Sequence, residues 1–403
     1  MSEQQQEQNV GAMVLADRLC SAPAVPVEVP PPDDEWTLPY GFARVYYGAG
    51  SQGITRPVIM ADGFNLGRSD LDWLYQGLET GFPFITRLRE RGRTVILLGF
   101  DERTASIIDN AQAAIAAIQQ TIARQLDASP LTVGGFSMGG LVTRYALAKL
   151  ENDRIDHRTA LYFSYDSPHR GGYIPVGIQA FSYFIPGPEN DFARQMDSPA
   201  ARQMMWQHYD RDDGAIRPHP DRAEFLERLR SVGWWPAIPR RIGVANGAGD
   251  GGGIVVEPGE IALRIDGLLF PGTTFRIQAA GDGVTVAELI RSLPPGRRTV
   301  TTNGFPEIDG APGGTLESYR ILAEALERNG GRVTLRRPTA CFVPTVSAVA
   351  IRYLDRQEDL YAKVDALDPS ESELDAFRCS STTTTHTAIT EELCTWIMEQ
   401  LPD

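Results

Sequence analysis

The sequence alternates between strand-like and helix-like segments from residue 57 to residue 165, and this alternation constrains the fold more than any other feature. Four apolar runs predict strands, at residues 57–61, 94–99, 131–134 and 160–165. Apolar residues at steps of three and four predict an amphipathic helix over 108–126, and a second helix is predicted over 138–150. Strands joined by helices are typical of a mostly parallel sheet flanked by helices, so we predict an α/β fold.

The rest of the chain is predicted to add an arm and two insertions to this core. Prolines at residues 30–32 end a polar stretch, and regular structure is expected from near Gly41. The predicted organisation is a flexible N-terminal arm at 1–35, a first part of the core at 36–171, an aromatic-rich cap at 172–238, a core strand at 239–253, a second, β-rich insertion at 254–310 and a C-terminal part of the core at 311–403. In that last part we expect a helix near 315–328, a last strand region near 333–350 and a closing amphipathic helix. The cap is expected to line an apolar pocket, to pack as the core of a subdomain, or both.

The composition argues against several classes of function. A formal net charge of −14 disfavours general binding to nucleic acid or to an anionic membrane surface. The four cysteines, Cys20, Cys341, Cys379 and Cys394, form no C-x-x-C pair, so we expect neither a metal site nor a disulfide framework. No stretch of about 18 apolar residues predicts a membrane span, and no secretory leader is recognisable, so we expect a cytoplasmic protein of open oligomeric state.

One short motif carries a chemical hypothesis. Residues 135–139 read Gly-Phe-Ser-Met-Gly and lie between a predicted strand and a predicted helix. Glycines on both sides of Ser137 suit a tight turn that holds the serine hydroxyl above the edge of the sheet. The helix N-terminus favours developing negative charge, and the Met138 N–H is a ready donor to an oxyanion. We therefore predict that Ser137 is a nucleophile.

A second oxyanion donor is expected from the loop that follows the strand at 57–61. The loop reads Asp-Gly-Phe-Asn from residue 62. Gly63 lets the backbone turn, and the Phe64 N–H can then point at a substrate. The alternative interpretation is an ordinary turn at the end of a strand.

A nucleophilic serine needs a base, and the chain has five histidines. His386 lies in a polar loop before the final helix and is predicted as the base, because it follows the nucleophile in chain order. His169 is the main alternative; its other interpretation is a structural histidine beneath the sheet edge. The remaining histidines lie in the cap or in a charged loop, at His157, His208 and His219.

Two aspartates compete for the role of the acid that orients the base. Asp166 follows the strand at 160–165, and Asp250 follows an apolar run at 241–246. Both lie at carboxyl ends of strands, where ligand-facing groups collect. We favour Asp166, keep Asp250 as the alternative, and place Asp375 third.

The glycines at 247, 249 and 252 also match the spacing of a dinucleotide-binding loop. A strand, not a helix, is predicted after them, so the geometry that cradles phosphates is missing. We expect no cofactor.

These motifs resemble those of the α/β-hydrolase superfamily, and within it the lipase-like serine esterases. The resemblance covers most of residues 57–171 and returns at His386. The stretch GFSMGGLVTRYAL is similar to the family's nucleophile elbow, SPHRGG to its segment after the sixth strand, and FVPTVSA also has a lipase-like character. Asp62 stands where such lipases usually have a histidine. The resemblance implies Ser137 as nucleophile, His386 as base, Met138 and Phe64 as oxyanion donors, and an acid after the sixth or the seventh strand.

The sequence therefore predicts an α/β-hydrolase that cleaves a small-molecule or lipid-like carboxylic ester through an acyl-enzyme. One alternative is that an alcohol or amine resolves the same acyl-enzyme, as in an acyltransferase, a thioesterase or a lactone-forming cyclase. A second alternative is a hydrolase fold that serves as a binding scaffold without catalysis.

Overall fold

The structure is a computed structural model and describes residues 27–403 apart from 188–189, 329, 353 and 355–356. Cys20 and most of the predicted arm lie outside the described residues. The strands are β1 (Asp34–Leu38), β2 (Gly41–Tyr46), β3 (Val58–Ala61), β4 (Val95–Phe100), β5 (Leu131–Phe136), β6 (Thr159–Tyr165), β7 (His208–Tyr209), β8 (Ile216–Arg217), β9 (Arg240–Ala248), β10 (Ile261–Ile265), β11 (Thr273–Arg276), β12 (Val284–Arg291), β13 (Gly296–Thr302), β14 (Gly313–Leu316), β15 (Val333–Leu335), β16 (Ala340–Pro344) and β17 (Ala376–Ser380).

Helices connect these strands. They are α1 (Leu71–Glu79), α2 (Phe84–Glu90), α3 (Ile107–Arg124), α4 (Met138–Asn152), α5 (Val176–Phe184), α6 (Asp191–Met196), α7 (Pro199–Met204), α8 (Pro220–Ser231), α9 (Ser318–Arg328), α10 (Thr345–Ala348) and α11 (Glu391–Gln400). Within the described residues, no helix combines the length and apolar character needed to cross a bilayer.

Eight strands form the main sheet in the order β1-β2-β4-β3-β5-β6-β9-β17. β2 runs antiparallel to both of its neighbours, and the other neighbouring pairs are parallel. α3, α4 and α8 pack on one face, and α1, α2 and α11 pack on the other. β3, β4 and β5 are therefore buried along their whole length, which explains their continuous apolar sequences.

The two edges of the main sheet differ from the prediction. β1 begins at Asp34, before the expected start of regular structure near Gly41, and pairs with β2. The last strand is β17, which pairs with β9, and not the region near 333–350. In that region β15 pairs with β10, and β16 pairs with β14. β1 and β17 are short and mix polar with apolar residues, so neither shows the apolar run that marks a buried strand.

A second layer is built from both insertions around its own apolar core. It is larger than the predicted cap at 172–238, and from here on we call this whole layer the cap. Its sheet has the order β13-β12-β11-β10-β15, and α5 packs on β11, β12 and β13. A Cβ added at Gly177 on α5 would lie 3.0 Å from the Ala287 Cβ, so helix and sheet approach closely. α9 and β15 also belong to this layer, although the sequence predicts the stretch 311–403 as a part of the core.

Most aromatic side chains of the segment 172–238 pack inside apolar cores. Phe181 is fully buried against the rings of Phe270 and Phe275 in the cap. Phe64 and Phe342 are partly buried and pack against the core of the main sheet and against that of the cap. These two residues therefore mark where the layers meet.

Candidate active site

The chain makes a strained turn at the carboxyl end of β5. β5 ends at Phe136, α4 begins at Met138, and Ser137 between them has φ 51° and ψ −120°. A residue with a Cβ rarely adopts this conformation, at a cost of about 1–3 kcal/mol. The turn is held in place because the Ser137 N–H donates to the Tyr165 carbonyl at 2.9 Å.

The glycines of the motif allow the chain segments to touch around this turn. A Cβ at Gly139 would lie 2.4 Å from the Ala61 carbonyl oxygen, and one at Gly135 would lie 2.5 Å from the Gly139 carbonyl carbon. Any side chain at either position would push α4 away from β3 and β5. The Gly-x-Ser-x-Gly spacing is thus the local requirement for bringing the serine to the sheet edge.

Asp166 and His386 form a close pair at the same edge. Asp166 is fully buried directly after β6, and its Oδ2 lies 2.6 Å from the His386 Nδ1. Its other carboxylate oxygen accepts the Asn246 N–H at 3.0 Å. The His386 N–H donates to the Thr315 carbonyl at 2.8 Å, which fixes the loop between β17 and α11. A donor at Nδ1 leaves Nε2 to act as an acceptor, and Nε2 has no hydrogen-bond partner among the described residues.

The register of the sheet places Ser137 beside this pair. Phe136 at the end of β5 is opposite Tyr165 at the end of β6. Ser137 and Asp166 are the next residues on strands that lie about 4.8 Å apart. The structure therefore brings three predicted residues, Ser137, Asp166 and His386, to one edge of the sheet.

The structure places the other candidate acids elsewhere. Asp250 is exposed beyond the end of β9, where its side chain accepts the Gly252 N–H at 2.7 Å. Asp375 lies before β17, at the opposite end of the sheet, and pairs with Arg241 at 2.6 Å. Asn246 is the residue of β9 that reaches the site. Asp166 is the one aspartate of these three that contacts His386.

The other histidines make structural contacts. His169 is buried against Trp235, its Nε2 lies 3.0 Å from the Ser164 Oγ, and burial lowers its pKa well below the usual range. The other three histidines make hydrogen-bond contacts away from the site. His157 contacts Glu151, His208 contacts the Met196 carbonyl, and the His219 side chain caps the N-terminus of α8.

Two backbone N–H groups next to the site have no acceptor within the described part of the chain. They belong to Met138, at the start of α4, and to Phe64, in the loop after β3. The N–H of Gly63 is instead taken by the Asp62 carboxylate at 2.8 Å. Free donors at a helix N-terminus and at an adjacent turn are the arrangement that stabilises an oxyanion.

A buried ion pair that the sequence analysis did not predict holds the loop of Phe64. Asp62 Oδ2 lies 3.6 Å from Arg103 Nη1, and burial raises the pKa of Asp62. Arg103 also donates to the Leu66 carbonyl at 2.8 Å and to the Gly67 carbonyl at 3.3 Å. Asp62, at the position of the usual lipase histidine, therefore ties both ends of the loop together through Arg103.

Three further neighbours of the site were also missed. Asn246 contacts Asp166, Phe342 packs edge-on to the His386 ring with centroids 4.7 Å apart, and Gly314 lies against the Asp166 carboxylate. The contact of Gly314 has a signal in the sequence: glycines inside a strand, such as the consecutive pair in β14, indicate that another group approaches the backbone closely.

Among the described residues, no group of three or more histidine, cysteine, aspartate or glutamate side chains is arranged to hold a metal ion. Gly247, one residue before the end of β9, lies against Thr345, Gly249 lies against Asp365, and the next regular element is β10. The glycine-rich stretch thus allows close packing and opens no helix.

Comparisons with known proteins were made against families, curated sequences and solved structures. Neither a protein-family model nor a curated protein sequence matches the chain. Similar solved structures include a Pyrobaculum calidifontis esterase (13% identity over 60% of this chain and 72% of that chain, TM-score 0.35). The Bacillus licheniformis lipase BlEst2 in its mature form is another (11% identity over 51% and 72%, TM-score 0.34). A third is EstE1, a thermophilic carboxylesterase cloned from a metagenomic library (13% identity over 60% and 73%, TM-score 0.34).

The fold assignment rests on the architecture of the sheet. Eight strands in the order described, a single antiparallel member at the second position, and a strand–turn–helix after the fifth strand characterise one fold family. The fold predicted from the motifs is confirmed: this chain has the α/β-hydrolase fold.

Proposed function

We propose that this protein is a serine hydrolase that cleaves carboxylic esters, with Ser137 as nucleophile, His386 as base and Asp166 as acid. The observation that carries the proposal is the 2.6 Å contact between His386 and the buried Asp166, at the sheet edge where the strained Ser137 turn ends. A buried carboxylate that accepts from Nδ1 fixes the tautomer in which Nε2 can receive a proton.

In the first half of the reaction, the Ser137 Oγ attacks the ester carbonyl carbon and its proton passes to the His386 Nε2. The carbonyl oxygen becomes an oxyanion that accepts hydrogen bonds from the N–H groups of Met138 and Phe64. The bond to the leaving alkoxide then breaks, and the alkoxide takes the proton from His386 and departs as the alcohol. An acyl-enzyme on Ser137 remains.

In the second half, His386 takes a proton from a water molecule that attacks the acyl carbon. The oxyanion forms again at the same donors, the bond to Oγ breaks, and Oγ takes back the proton from His386. The carboxylic acid leaves and the free enzyme is restored. Asp166 keeps its hydrogen bond to Nδ1 and stabilises the imidazolium that forms in each half.

The proposal is tested by labelling with a fluorophosphonate probe, read by intact mass. We expect one adduct on the wild-type protein and none on Ser137→Ala, because the probe reacts with an activated serine. Labelling of His386→Ala and Asp166→Asn should be slower by roughly 10³–10⁴-fold. The same variants should lose hydrolysis of p-nitrophenyl esters of graded acyl length to a similar degree.

Asp250→Asn is the matched control, because it makes the same chemical change at an aspartate that the structure keeps away from His386. It should label and hydrolyse like the wild type. An inactive Asp250→Asn with an active Asp166→Asn would overturn the assignment of the acid. An unlabelled wild-type protein, in detergent as well as in buffer, would instead favour a binding scaffold.

A further inference from the structure

Asn246 on β9 contacts both ends of the loop that carries His386, residues 384–388 between β17 and α11. Asn246 is fully buried. Its Nδ2 donates to the Thr384 Oγ1 and to the Ala388 carbonyl oxygen, both at 2.9 Å. Its carbonyl oxygen accepts the Thr384 N–H at 2.9 Å. One residue therefore holds the two ends of the loop, with His386 between them.

The same residue also holds the acid. The Asn246 N–H donates to the Asp166 Oδ1 at 3.0 Å, while the other carboxylate oxygen of Asp166 faces the His386 Nδ1. Outside that pair, Asn246 is the one described residue that hydrogen-bonds both to Asp166 and to the loop of His386. β9 lies between β6 and β17 and is parallel to both, so its backbone has a fixed place between the strand that precedes the acid and the strand that precedes the base.

The amide of Asn246 is only half satisfied. Its Oδ1 is buried and has no hydrogen-bond partner within the described part of the chain. An unpaired buried acceptor costs the folded state free energy that an apolar side chain of similar size would not cost. The contribution of the amide is thus its Nδ2 contacts, which determine the geometry of the loop.

We infer that Asn246 is a positioning residue that holds His386 against Asp166 through the two ends of the loop and touches no reacting atom. The consequence for catalysis rests on the proposed function, whereas the consequence for the contact between His386 and Asp166 does not. The inference therefore predicts a kinetic effect and a structural effect that are measured separately.

Loss of the amide should loosen the loop without detaching it. Thr384 would keep its contact with the carbonyl of residue 246, and Ala388 would keep the Tyr165 hydroxyl at 2.8 Å. The loop would lose the side chain that joins its two ends, so the imidazole could shift relative to Asp166. A shift of the base affects the transition state more than the binding of substrate.

The kinetic test is hydrolysis of a p-nitrophenyl ester by Asn246→Ala. We expect kcat to fall by about 100-fold while KM stays within about threefold of the wild type. Asn110→Ala is the matched control, because Asn110 is also a buried asparagine but lies on α3, outside the site. It should leave both constants unchanged. An equal loss in the two variants, or a change in KM alone for Asn246→Ala, would overturn the inference.

Thr384 provides a second pair of variants, which keeps the inference testable if Asn246→Ala fails to fold. Thr384→Val keeps the shape of the side chain and removes the hydroxyl that accepts from Nδ2, so kcat should fall by about tenfold. Thr384→Ser restores the hydroxyl and should recover most of that loss. If serine is no better than valine here, packing and not the hydrogen bond holds the loop, and the inference fails.

Proton NMR separates this inference from the proposed function. A proton held between Nδ1 and a carboxylate at 2.6 Å resonates far downfield of the amide protons, and it is seen only while that contact shields it from exchange with water. We expect this signal in the wild type and in Ser137→Ala, and its absence from His386→Ala assigns it. Asn246→Ala should lose it.

These spectra require no hydrolysis. A wild-type protein that shows the expected signals but hydrolyses no ester would overturn the proposed function and support the positioning role. A signal that persists unchanged in Asn246→Ala would overturn the positioning role, whatever the activity of the wild type.

Discussion

Ser137 is held in a backbone conformation that costs the folded state free energy. Glycine accepts φ 51° and ψ −120° without strain, whereas alanine keeps the Cβ that causes it. We expect the free energy of unfolding of Ser137→Gly to be about 1 kcal/mol higher than that of Ser137→Ala. This difference already allows for the greater flexibility of glycine in the unfolded chain, which favours unfolding. Denaturant titration of the two variants measures the difference. Equal stability would show that the turn is unstrained.

Asp62 is expected to act by positioning the Phe64 N–H and not by touching substrate. Asp62→Asn keeps an acceptor for Gly63 but removes the charge that faces Arg103. We expect kcat to fall by about tenfold while KM stays within about twofold, because a loosened oxyanion donor is felt mainly in the transition state. Steady-state kinetics on a p-nitrophenyl ester measure both constants.

Asp101→Asn is the control for this prediction, since Asp101 is exposed and pairs with Arg68 in the same part of the chain. It should leave both constants unchanged. A change in KM alone for Asp62→Asn would contradict a positioning role.

The residues of the candidate site could be proposed from the sequence only where a residue has a fixed place in a local pattern. Ser137 follows from the glycines around it, and His386 from its place before the final helix. The choice between Asp166 and Asp250 stayed open because both follow strands. It depends on the path of the chain beyond β9, which turns Asp250 outward and leaves Asn246 at the site. Arg103 lies far from Asp62 in sequence, and their contact has no local signature.

Among the elements, β14 restricts the site most tightly. A Cβ added at Gly314 would lie 1.9 Å from the Asp166 Oδ2, so the strand passes directly over the carboxylate. We expect Gly314→Ala to displace Asp166 from His386 and to lower kcat/KM by at least about 100-fold, while the main sheet stays folded. Circular dichroism and ester hydrolysis check the two parts of this expectation.

Gly172→Ala provides the matched control for Gly314→Ala. Its Cβ would meet neighbours no closer than 3.5 Å, which is ordinary van der Waals contact, and it too lies beside the layer boundary. It should retain wild-type activity. Full activity in Gly314→Ala would show that β14 yields and that the position of Asp166 does not depend on it.

The elements with continuous apolar runs could be predicted from the sequence, and those at edges could not. β3, β4 and β5 are buried on both faces, so their sequences are apolar throughout. β17 and β1 each have one neighbouring strand and contain charged residues. The strands in the region near 333–350, β15 and β16, lie outside the main sheet, because a local pattern shows that a strand is buried but not which sheet buries it.

At the scale of the whole molecule, the cap contains a buried carboxyl group that links its segments. Asp309 accepts the Gln278 N–H at 2.7 Å, with the hydroxyls of Tyr173 and Tyr319 beside it. Burial raises its pKa from 3.8 to about 6. The folded protein therefore keeps a proton between about pH 4 and pH 6 that the unfolded chain releases.

We expect this carboxyl group to make the protein less stable as the pH rises through that window. The contribution of Asp309 to the free energy of unfolding is fully present below about pH 4 and is lost as the pH rises past about 6. Its total is about 3 kcal/mol. Asp309→Asn should remove this component from a plot of unfolding free energy against pH. Asp212→Asn, at an exposed side chain, should leave it in place. A profile for Asp309→Asn that parallels the wild type would contradict the expectation.

The shared core of the cap has a consequence for how this protein can be re-engineered. The cap consists of two stretches that β9 separates in sequence, yet their apolar side chains pack together. Deleting either stretch would leave the apolar face of the other in water, with the aggregation that such a surface brings. The cap therefore cannot be removed or exchanged as one continuous segment of the chain. A transplant into another scaffold would need both stretches at once, joined across a strand of the recipient's own sheet.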